Sequence, residues 1–161
     1  MTMLTERIQD QLHGRSVVVV GVGNRLRGDD GAGPAVVERL AGAGRDRVID
    51  AGTTPENFLG PLLERAPGVV LFVDAADLGE PPGATVLAPV AELAGRIDST
   101  HAPSLRLVAD ILASYGIESW LLGIQPARTT PGVRLHPEVA AAVDTAAESI
   151  AWILCREVCR G

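Results

Sequence analysis

The sequence predicts an α/β fold: a three-layer α/β/α arrangement in which a mostly parallel, twisted sheet of about five strands carries helices on both faces. Three observations support this prediction. Short, unalternating apolar runs recur along the chain, as in strands that are buried on both faces. Amphipathic helical patterns lie between those runs. The apolar fraction of 47% with only 3% aromatic residues indicates an aliphatic core, within one domain that spans residues 1–161.

Five segments are predicted as strands. The strongest are the continuous apolar runs SVVVVG at Ser16–Gly21, GVVLFV at Gly68–Val73 and SWLLG at Ser119–Gly123. Weaker candidates lie at Arg47–Asp50 and Ala84–Ala88. Because these strands alternate with helical segments, right-handed crossovers should make most of the sheet parallel.

Apolar residues at steps of three and four predict the helices. A short N-terminal helix would place Leu4, Ile8 and Leu12 on one face. The segment that begins at Pro34 is a good helix start, since proline is tolerated in the first turn. Four further segments share the helical pattern: Pro34–Leu40, Pro55–Arg65, Ser104–Tyr115 and Pro137–Arg160.

Composition and charge exclude several classes of function. The net charge is -6 without long runs of one sign, so neither nucleic acid nor a membrane surface is expected as a partner. Every basic residue is arginine, which excludes a catalytic lysine. No apolar run approaches the roughly 20 residues of a membrane helix, and the N-terminus lacks the apolar segment of a signal peptide. A cytoplasmic location is therefore expected.

The loop after the first predicted strand, GVGNRLRGDDGAGP at residues 21–34, is the most informative stretch. It begins like a dinucleotide-binding glycine motif, but the third glycine would fall on Leu26, which disfavours a nucleotide-binding enzyme. Glycines on both sides of Asp29 and Asp30 allow a tight turn that aims one carboxylate inward. We expect one of the two to cap the helix that starts near Pro34, and the other to serve the chemistry.

Two further polar residues stand where open α/β sheets bind ligands. Asp74 ends the most hydrophobic strand, whereas Asp77 lies further into the loop and is the weaker candidate. His101 precedes a predicted helix. Asp30, Asp74 and His101 together offer two carboxylates and an imidazole, which suit a first-row divalent ion and leave positions for water or substrate. Each residue type is common, so spacing alone does not decide between a metal site and structural hydrogen bonds.

The remaining histidines and cysteines are interpreted as structural. His136 begins the last predicted helix without an acidic motif beside it, and His13 has no chemical context. Cys155 and Cys159 lie four residues apart on that helix, so buried packing is favoured over a metal site or a redox pair. Serine or cysteine protease chemistry is not expected, because no G-x-S-x-G elbow occurs and the cysteines are far in sequence from a histidine motif.

Four segments resemble the hydrogenase maturation endopeptidases: GVGNRLRGDDGAGP, VDAADLGEPPG, STHAPSLRLVADIL and LLGIQP. The likeness runs in order from about Val17 to the last helix, and it is strongest to the type that processes formate-hydrogenlyase-like hydrogenases. It implies an endopeptidase that removes a C-terminal peptide from the nickel-loaded precursor of a [NiFe]-hydrogenase large subunit. It also implies that Asp30, Asp74 and His101 contact the metal and carry the catalysis.

Three positions are left open by the resemblance. Ala51 stands where many relatives have glycine, so the loop that follows is expected to be shaped differently. Asn57 and Gln125 match the subgroup, and either substrate binding or turn formation would account for them.

The types of ligand suggest how the protein would meet its nickel ion, Ni²⁺. Two aspartates and a histidine without a thiolate form a modest, exposed site for which copper and zinc compete strongly. We therefore expect the isolated protein to bind Ni²⁺ weakly, and the productive nickel to arrive with the precursor. Alternatively, the two carboxylates act as acid and base while nickel serves recognition only. A non-enzymatic nickel-binding assembly factor would use the same contacts without releasing a peptide.

Overall fold

One five-stranded sheet forms the centre of the structure, a computed structural model that describes residues 2–44, 46–93 and 95–158. The strands are β1 (Val17–Val22), β2 (Val48–Gly52), β3 (Val69–Ala75), β4 (Thr85–Pro89) and β5 (Glu118–Ile124). Their order is β2-β1-β3-β5-β4, and all pairings are parallel except that of β4 with β5. The predicted mostly parallel sheet is confirmed, with strand ends displaced by one or two residues.

Five α-helices accompany the sheet: α1 (Met3–Leu12), α2 (Ala32–Arg39), α3 (Leu59–Arg65), α4 (Ala102–Ser114) and α5 (Pro137–Val158). Helix α2 begins two residues before Pro34 because a 3-10 turn at Gly28–Gly31 leads directly into it. The helix predicted at Pro55–Arg65 is instead a 3-10 turn, Pro55–Phe58, followed by α3. The predicted end of the last helix, Arg160, lies outside the described residues.

Alternate residues of the central strands pack against helices on opposite faces, as the pleat of a strand requires. Val19 and Leu71 belong to the core that α1, α2 and α5 cover. Val20 and Phe72 belong to the core that α3 and α4 cover. The three-layer arrangement predicted from the sequence is thereby confirmed. No helix in the described ranges is both long and apolar enough to cross a bilayer, while the cytoplasmic location stays a prediction.

Glycines bring α2 unusually close to the sheet. A Cβ atom on Gly33 would lie 2.2 Å from the carbonyl oxygen of Val73 and 2.3 Å from that of Val22. A Cβ atom on Gly21 would lie 2.7 Å from the carbonyl oxygen of Gly33. The glycine loop therefore serves helix–sheet packing, and this packing sets the 3-10 turn Gly28–Gly31 against β3.

Substitution of Gly33 tests this contact. Gly33→Ala is expected to lower the free energy of unfolding by more than about 3 kcal/mol, because the new methyl group meets two carbonyl oxygens of the sheet. The matched control is Gly60→Ala in α3, where nothing lies within 4 Å of the added atom. That change should be neutral or stabilise by roughly 0.5–1 kcal/mol. Urea denaturation measures both, and equal stability of the two variants would contradict the packing role.

Candidate functional site

Three side chains from separate segments converge beside the carboxyl end of β3. Asp74 lies in that strand, Asp30 in the 3-10 turn before α2, and His101 at the position that precedes α4. One potential ligand atom from each residue lies within 4.8 Å of the others. The convergence predicted for these residues is confirmed, whereas their chemical roles stay predictions. The expectation of an exposed site is wrong: the residues are only 8%, 0% and 7% exposed, respectively.

The carboxylate of Asp74 has one engaged oxygen and one free oxygen. Ser99 Oγ donates a hydrogen bond to Asp74 Oδ2 at 2.8 Å, and His101 Nδ1 lies 3.4 Å from the same oxygen. Asp74 Oδ1 and His101 Nδ1 are both buried without a hydrogen-bond partner among the described residues. Buried polar atoms are rarely left unpaired, so these two mark a place that a ligand can satisfy. A carboxylate oxygen and an imidazole nitrogen fit a first-row divalent ion.

Asp30 is the third residue of the cluster and supplies its second carboxylate. The backbone N–H of Asn24 donates to Asp30 Oδ2 at 2.8 Å, which holds the carboxylate in place and leaves its other oxygen available. This bond closes the glycine loop on itself across six residues. The loop after β1 thus delivers one oriented carboxylate to the cluster.

Asp29, the neighbour of Asp30, has a different task. Its Oδ2 accepts hydrogen bonds from the backbone N–H groups of Ala127 and Arg128, and its Oδ1 accepts one from His136. Asp29 thereby fastens the segment 127–136 to the glycine loop. The expectation that one aspartate caps α2 is wrong, because Gly31 occupies the N-cap and no side chain caps it. Asp30 instead accepts from Asn24, and Asp29 accepts from backbone groups about a hundred residues away in sequence.

Other candidates from the sequence lie outside the cluster. Gln125 forms a turn: its Oε1 accepts from the backbone N–H of Leu78 at 2.6 Å, and its Nε2 donates to Asp77 Oδ1 at 3.3 Å. Asp77 is thereby also tied to this turn. His136 Nδ1 accepts from the N–H of Glu138, which agrees with a structural role.

Ala51, Asn57 and Cys155 also lie outside the cluster, in β2, in the 3-10 turn Pro55–Phe58 and in α5, respectively. Ala51 is buried in β2, and Asn57 is exposed. Cys155 is exposed on the outer side of α5, so the expectation that it is buried is wrong, and Cys159 lies outside the described residues. Ser99 contacts the cluster but was not predicted from the sequence as a site residue. It stands in the STHAPS segment, but no short-range signal connects it to Asp74.

The electrostatic environment shifts two of the three cluster residues. Burial raises the pKa of Asp74, and the nearby charge of Asp30 adds to the rise, while His101 and Ser99 oppose it. The interaction with Asp74 raises the pKa of His101, and burial opposes that rise. The charge of Asp30 thus helps to raise the pKa of Asp74 as expected, but desolvation of Asp74 by burial is the larger cause of that rise.

Two adjoining concavities meet over the cluster. One, of about 360 Å³, is lined by Asp77, Asp98 and Arg128 among others. The other, of about 380 Å³, is lined by Arg27 and His101 among others. Both include Asp30, Thr100 and Thr129 in their walls, so they form one trench that crosses the site.

The fold and the site together define an α/β protein with a buried carboxylate–imidazole cluster at the carboxyl edge of its sheet. This chain belongs to the hydrogenase maturation protease family, whose HycI model matches residues 34–153. Asp74 and His101 lie inside that match, and Asp30 lies just before it. The family membership predicted from the sequence is confirmed.

Named relatives and solved structures agree with this assignment. The hydrogenase 3 maturation protease of Escherichia coli is 38% identical over 112 residues, which cover 68% of this chain and 72% of that protein. The crystal structure of a [NiFe] hydrogenase maturation protease, HycI, from Thermococcus kodakarensis superposes with a TM-score of 0.81 and 33% identity, over 92% of this chain and 98% of that one. The hydrogenase maturating endopeptidase HybD of Escherichia coli has a TM-score of 0.74 at 28% identity, with 88% and 93% covered.

The buried charge of Asp74 should lower the stability of the metal-free protein near pH 8. Asp74→Asn removes that charge and is expected to raise the Tm, by roughly 2–4 °C for each kcal/mol relieved. Both raised pKa values mean that the folded protein binds protons more tightly than the unfolded chain, so wild-type stability increases as the pH falls. The advantage of the variant should therefore shrink towards about pH 6, near the unfolded pKa of histidine.

Thermal melts of chelator-treated protein between about pH 8 and pH 6 measure this effect. Asp110→Asn is the matched control, because Asp110 is exposed on α4 and its charge is already solvated. A Tm difference between Asp74→Asn and wild type that is zero or constant across the range would contradict a desolvated carboxylate at this position.

Proposed function

We propose that this chain is an endopeptidase that removes a C-terminal peptide from the nickel-loaded precursor of a [NiFe]-hydrogenase large subunit. The observation that carries the proposal is the convergence of Asp30 and His101, which line the trench, with the buried Asp74. Among the described residues, Asp74 Oδ1 and His101 Nδ1 lack a hydrogen-bond partner. Family membership supplies the class of reaction, peptide-bond hydrolysis during hydrogenase maturation. One of the solved relatives, from Thermococcus kodakarensis, is a [NiFe] hydrogenase maturation protease.

The nickel is treated as part of the substrate. The cluster consists of two carboxylates and an imidazole, without a thiolate. Zinc and copper compete strongly with nickel for such donors, so nickel that is delivered within the precursor, on the precursor's own thiolates, meets the cluster without that competition. Asp30, Asp74 and His101 would then hold the loaded precursor at the trench. When bound there, nickel supplies Lewis-acid polarisation of the scissile carbonyl.

The side chains of this protein position the reacting groups. Asp30 Oδ2 is held by the Asn24 N–H, and we assign the second oxygen of this carboxylate to the cluster. Asp74 Oδ1 has no hydrogen-bond partner within the described part of the chain, and we assign to it the proton of the attacking water. The same carboxyl returns that proton to the nitrogen of the leaving peptide as the C–N bond breaks. Burial of the site excludes bulk water and strengthens these contacts.

A protein substrate also agrees with the surface beside the trench. Leu26 and Val133 are 66% and 76% exposed, and they lie on two loops that face each other. The N–H of Gly132 donates to the carbonyl of Leu26 at 2.8 Å, and the N–H of Gly28 donates to the carbonyl of Gly132 at 2.8 Å. We infer that Leu26 and Val133 contribute to the surface that binds the precursor, because their loops are held together beside the trench.

The two aliphatic residues provide a test of precursor binding. The double change Leu26→Asp and Val133→Asp is expected to raise KM for the precursor by about tenfold or more, because charged groups replace apolar contacts. Leu107→Asp is the matched control, since Leu107 is also exposed, at 56%, but lies on α4. Initial rates at varied precursor concentration give the comparison. An unchanged KM in the double variant would exclude these residues from the docking surface.

The reaction itself is tested with nickel-loaded and nickel-free precursor. Mass spectrometry of the large subunit should show loss of a C-terminal peptide from the loaded form alone. Asp30→Ala, Asp74→Ala and His101→Ala should each reduce the rate by at least about a thousandfold, because each removes a group from the reacting centre. Asp110→Ala, an exposed change on α4, should leave the rate unaltered.

Other outcomes distinguish the alternatives. Binding of the loaded precursor without any change in mass would indicate a nickel-binding assembly factor. Trimming of the nickel-free precursor that is lost in Asp74→Asn would favour an acid–base pair with nickel as a recognition element. Full activity in any of the three alanine variants would remove that residue from the site.

A further inference from the structure

Ser99 connects the two cluster residues that the trench buries most deeply, Asp74 and His101. We infer that Ser99 is a positioning residue whose hydroxyl determines which oxygen of Asp74 faces the bound ion or substrate. The inference rests on the proposed function for its catalytic consequence, but not for its structural basis.

The hydrogen bonds of Ser99 orient its single proton. Its Oγ accepts the backbone N–H of His101 at 3.2 Å and lies 2.8 Å from Asp74 Oδ2. An N–H group can only donate and a carboxylate can only accept. The hydroxyl proton of Ser99 therefore points at Asp74 Oδ2. The serine bridges the backbone in front of α4 and the carboxylate at the end of β3.

This bridge makes the two oxygens of Asp74 different from each other. Oδ2 receives the Ser99 proton and lies beside His101 Nδ1, whereas Oδ1 is buried and has no hydrogen-bond partner in the part of the chain that the structure describes. Rotation of an aspartate about χ2 is broad and roughly two-fold, so a carboxylate without an anchor exchanges or tilts its oxygens. The Ser99 hydroxyl removes that freedom and leaves Oδ1 as the oxygen that is available for an ion or a water proton.

The backbone that carries Ser99 is held independently of its hydroxyl. Asp77 and Asp98 exchange backbone hydrogen bonds, with the Asp77 N–H donating at 2.8 Å and the Asp98 N–H at 3.3 Å. The N–H of Ala102 donates to the carbonyl of Ser99 at 3.1 Å. Loss of the hydroxyl should therefore leave this segment in place and release only the carboxylate.

A purely local role for Ser99 would use only the bond to the His101 N–H, which shapes the turn before α4. The bond to Asp74 has a further consequence, because it fixes the orientation of a carboxylate that belongs to the cluster. Groups that orient metal-binding side chains typically change affinity or activity by about 10–100-fold when they are removed. The two roles are separable by measuring ion binding and turnover together with stability.

The experiment compares Ser99→Ala, Ser99→Thr and wild type in full-length protein. Zn²⁺ binding is measured by isothermal titration, and kcat and KM are measured with the nickel-loaded precursor. Ser99→Ala is expected to weaken Zn²⁺ binding and lower kcat by about 10–100-fold, with the main effect on kcat rather than KM. Ser99→Thr, which keeps the hydroxyl, should recover both to within about threefold of wild type.

Ser114→Ala is the matched control, because the Ser114 hydroxyl donates to the carbonyl of Ile111 near the end of α4 and does not contact the cluster residues. If Ser99→Ala does not fold, Ser99→Val replaces it, since valine matches the threonine of Ser99→Thr in shape but has no hydroxyl to donate. Zn²⁺ binding that is weaker in Ser99→Val than in Ser99→Thr supports the inference, and equal binding in the two variants overturns it.

Three results would overturn the positioning role: wild-type Zn²⁺ affinity and kcat in folded Ser99→Ala, a defect in Ser99→Thr as large as that in Ser99→Ala, or no Zn²⁺ binding by wild type. Failure of the proposed function is recognised separately, as absence of precursor trimming by wild-type protein. In that case the ratio of Zn²⁺ affinities between the variants still decides the role of Ser99.

Discussion

A fully buried carboxylate at the end of the central strand β3 is the constraint around which the site is arranged. Strand β3 lies between β1 and β5, so the side chain of Asp74 emerges where the neighbouring segments leave little access to water. An ionised group in such a place is unfavourable unless other groups compensate for the lost solvation. Ser99 and His101 compensate at one oxygen only. The remaining oxygen, Oδ1, has no hydrogen-bond partner among the residues that the structure describes.

The surrounding loops are ordered by contacts that serve this arrangement. Gly33 lets α2 approach the sheet, which brings the 3-10 turn with Asp30 to β3. Asp29 then holds the segment 127–136 against the glycine loop through three backbone N–H groups. Adjacent aspartates therefore divide the work: one builds the wall of the trench and the other faces the cluster. A site supported in this way is preorganised before its substrate arrives.

Family membership and geometry contribute different parts of the functional conclusion. The relatives establish a hydrogenase maturation protease, with similarity over most of the chain. The geometry indicates how such a protein can act without a serine or cysteine nucleophile: the cluster offers oxygen and imidazole donors, and the trench offers room for an extended chain. In the proposed function these donors meet nickel that the substrate brings, since copper and zinc would compete strongly for them in the isolated protein.

The order of strands and helices, the two-faced core and the place of Asp74 at a strand end followed from the sequence by itself, because apolar periodicity and the ends of parallel strands are local features. The choice of Asp30 rather than Asp29, and the assignment of His101 to the same site, came from the resemblance of the sequence segments to a known family. Tertiary structure alone decided the depth of burial, the separate tasks of Asp29 and Asp30, the turn-forming role of Gln125 and the contact between Ser99 and Asp74. Each of these depends on hydrogen bonds between segments far apart in sequence, such as Asp29 with His136. No local pattern specifies such pairings, since they form only when the packed sheet and helices bring the segments together.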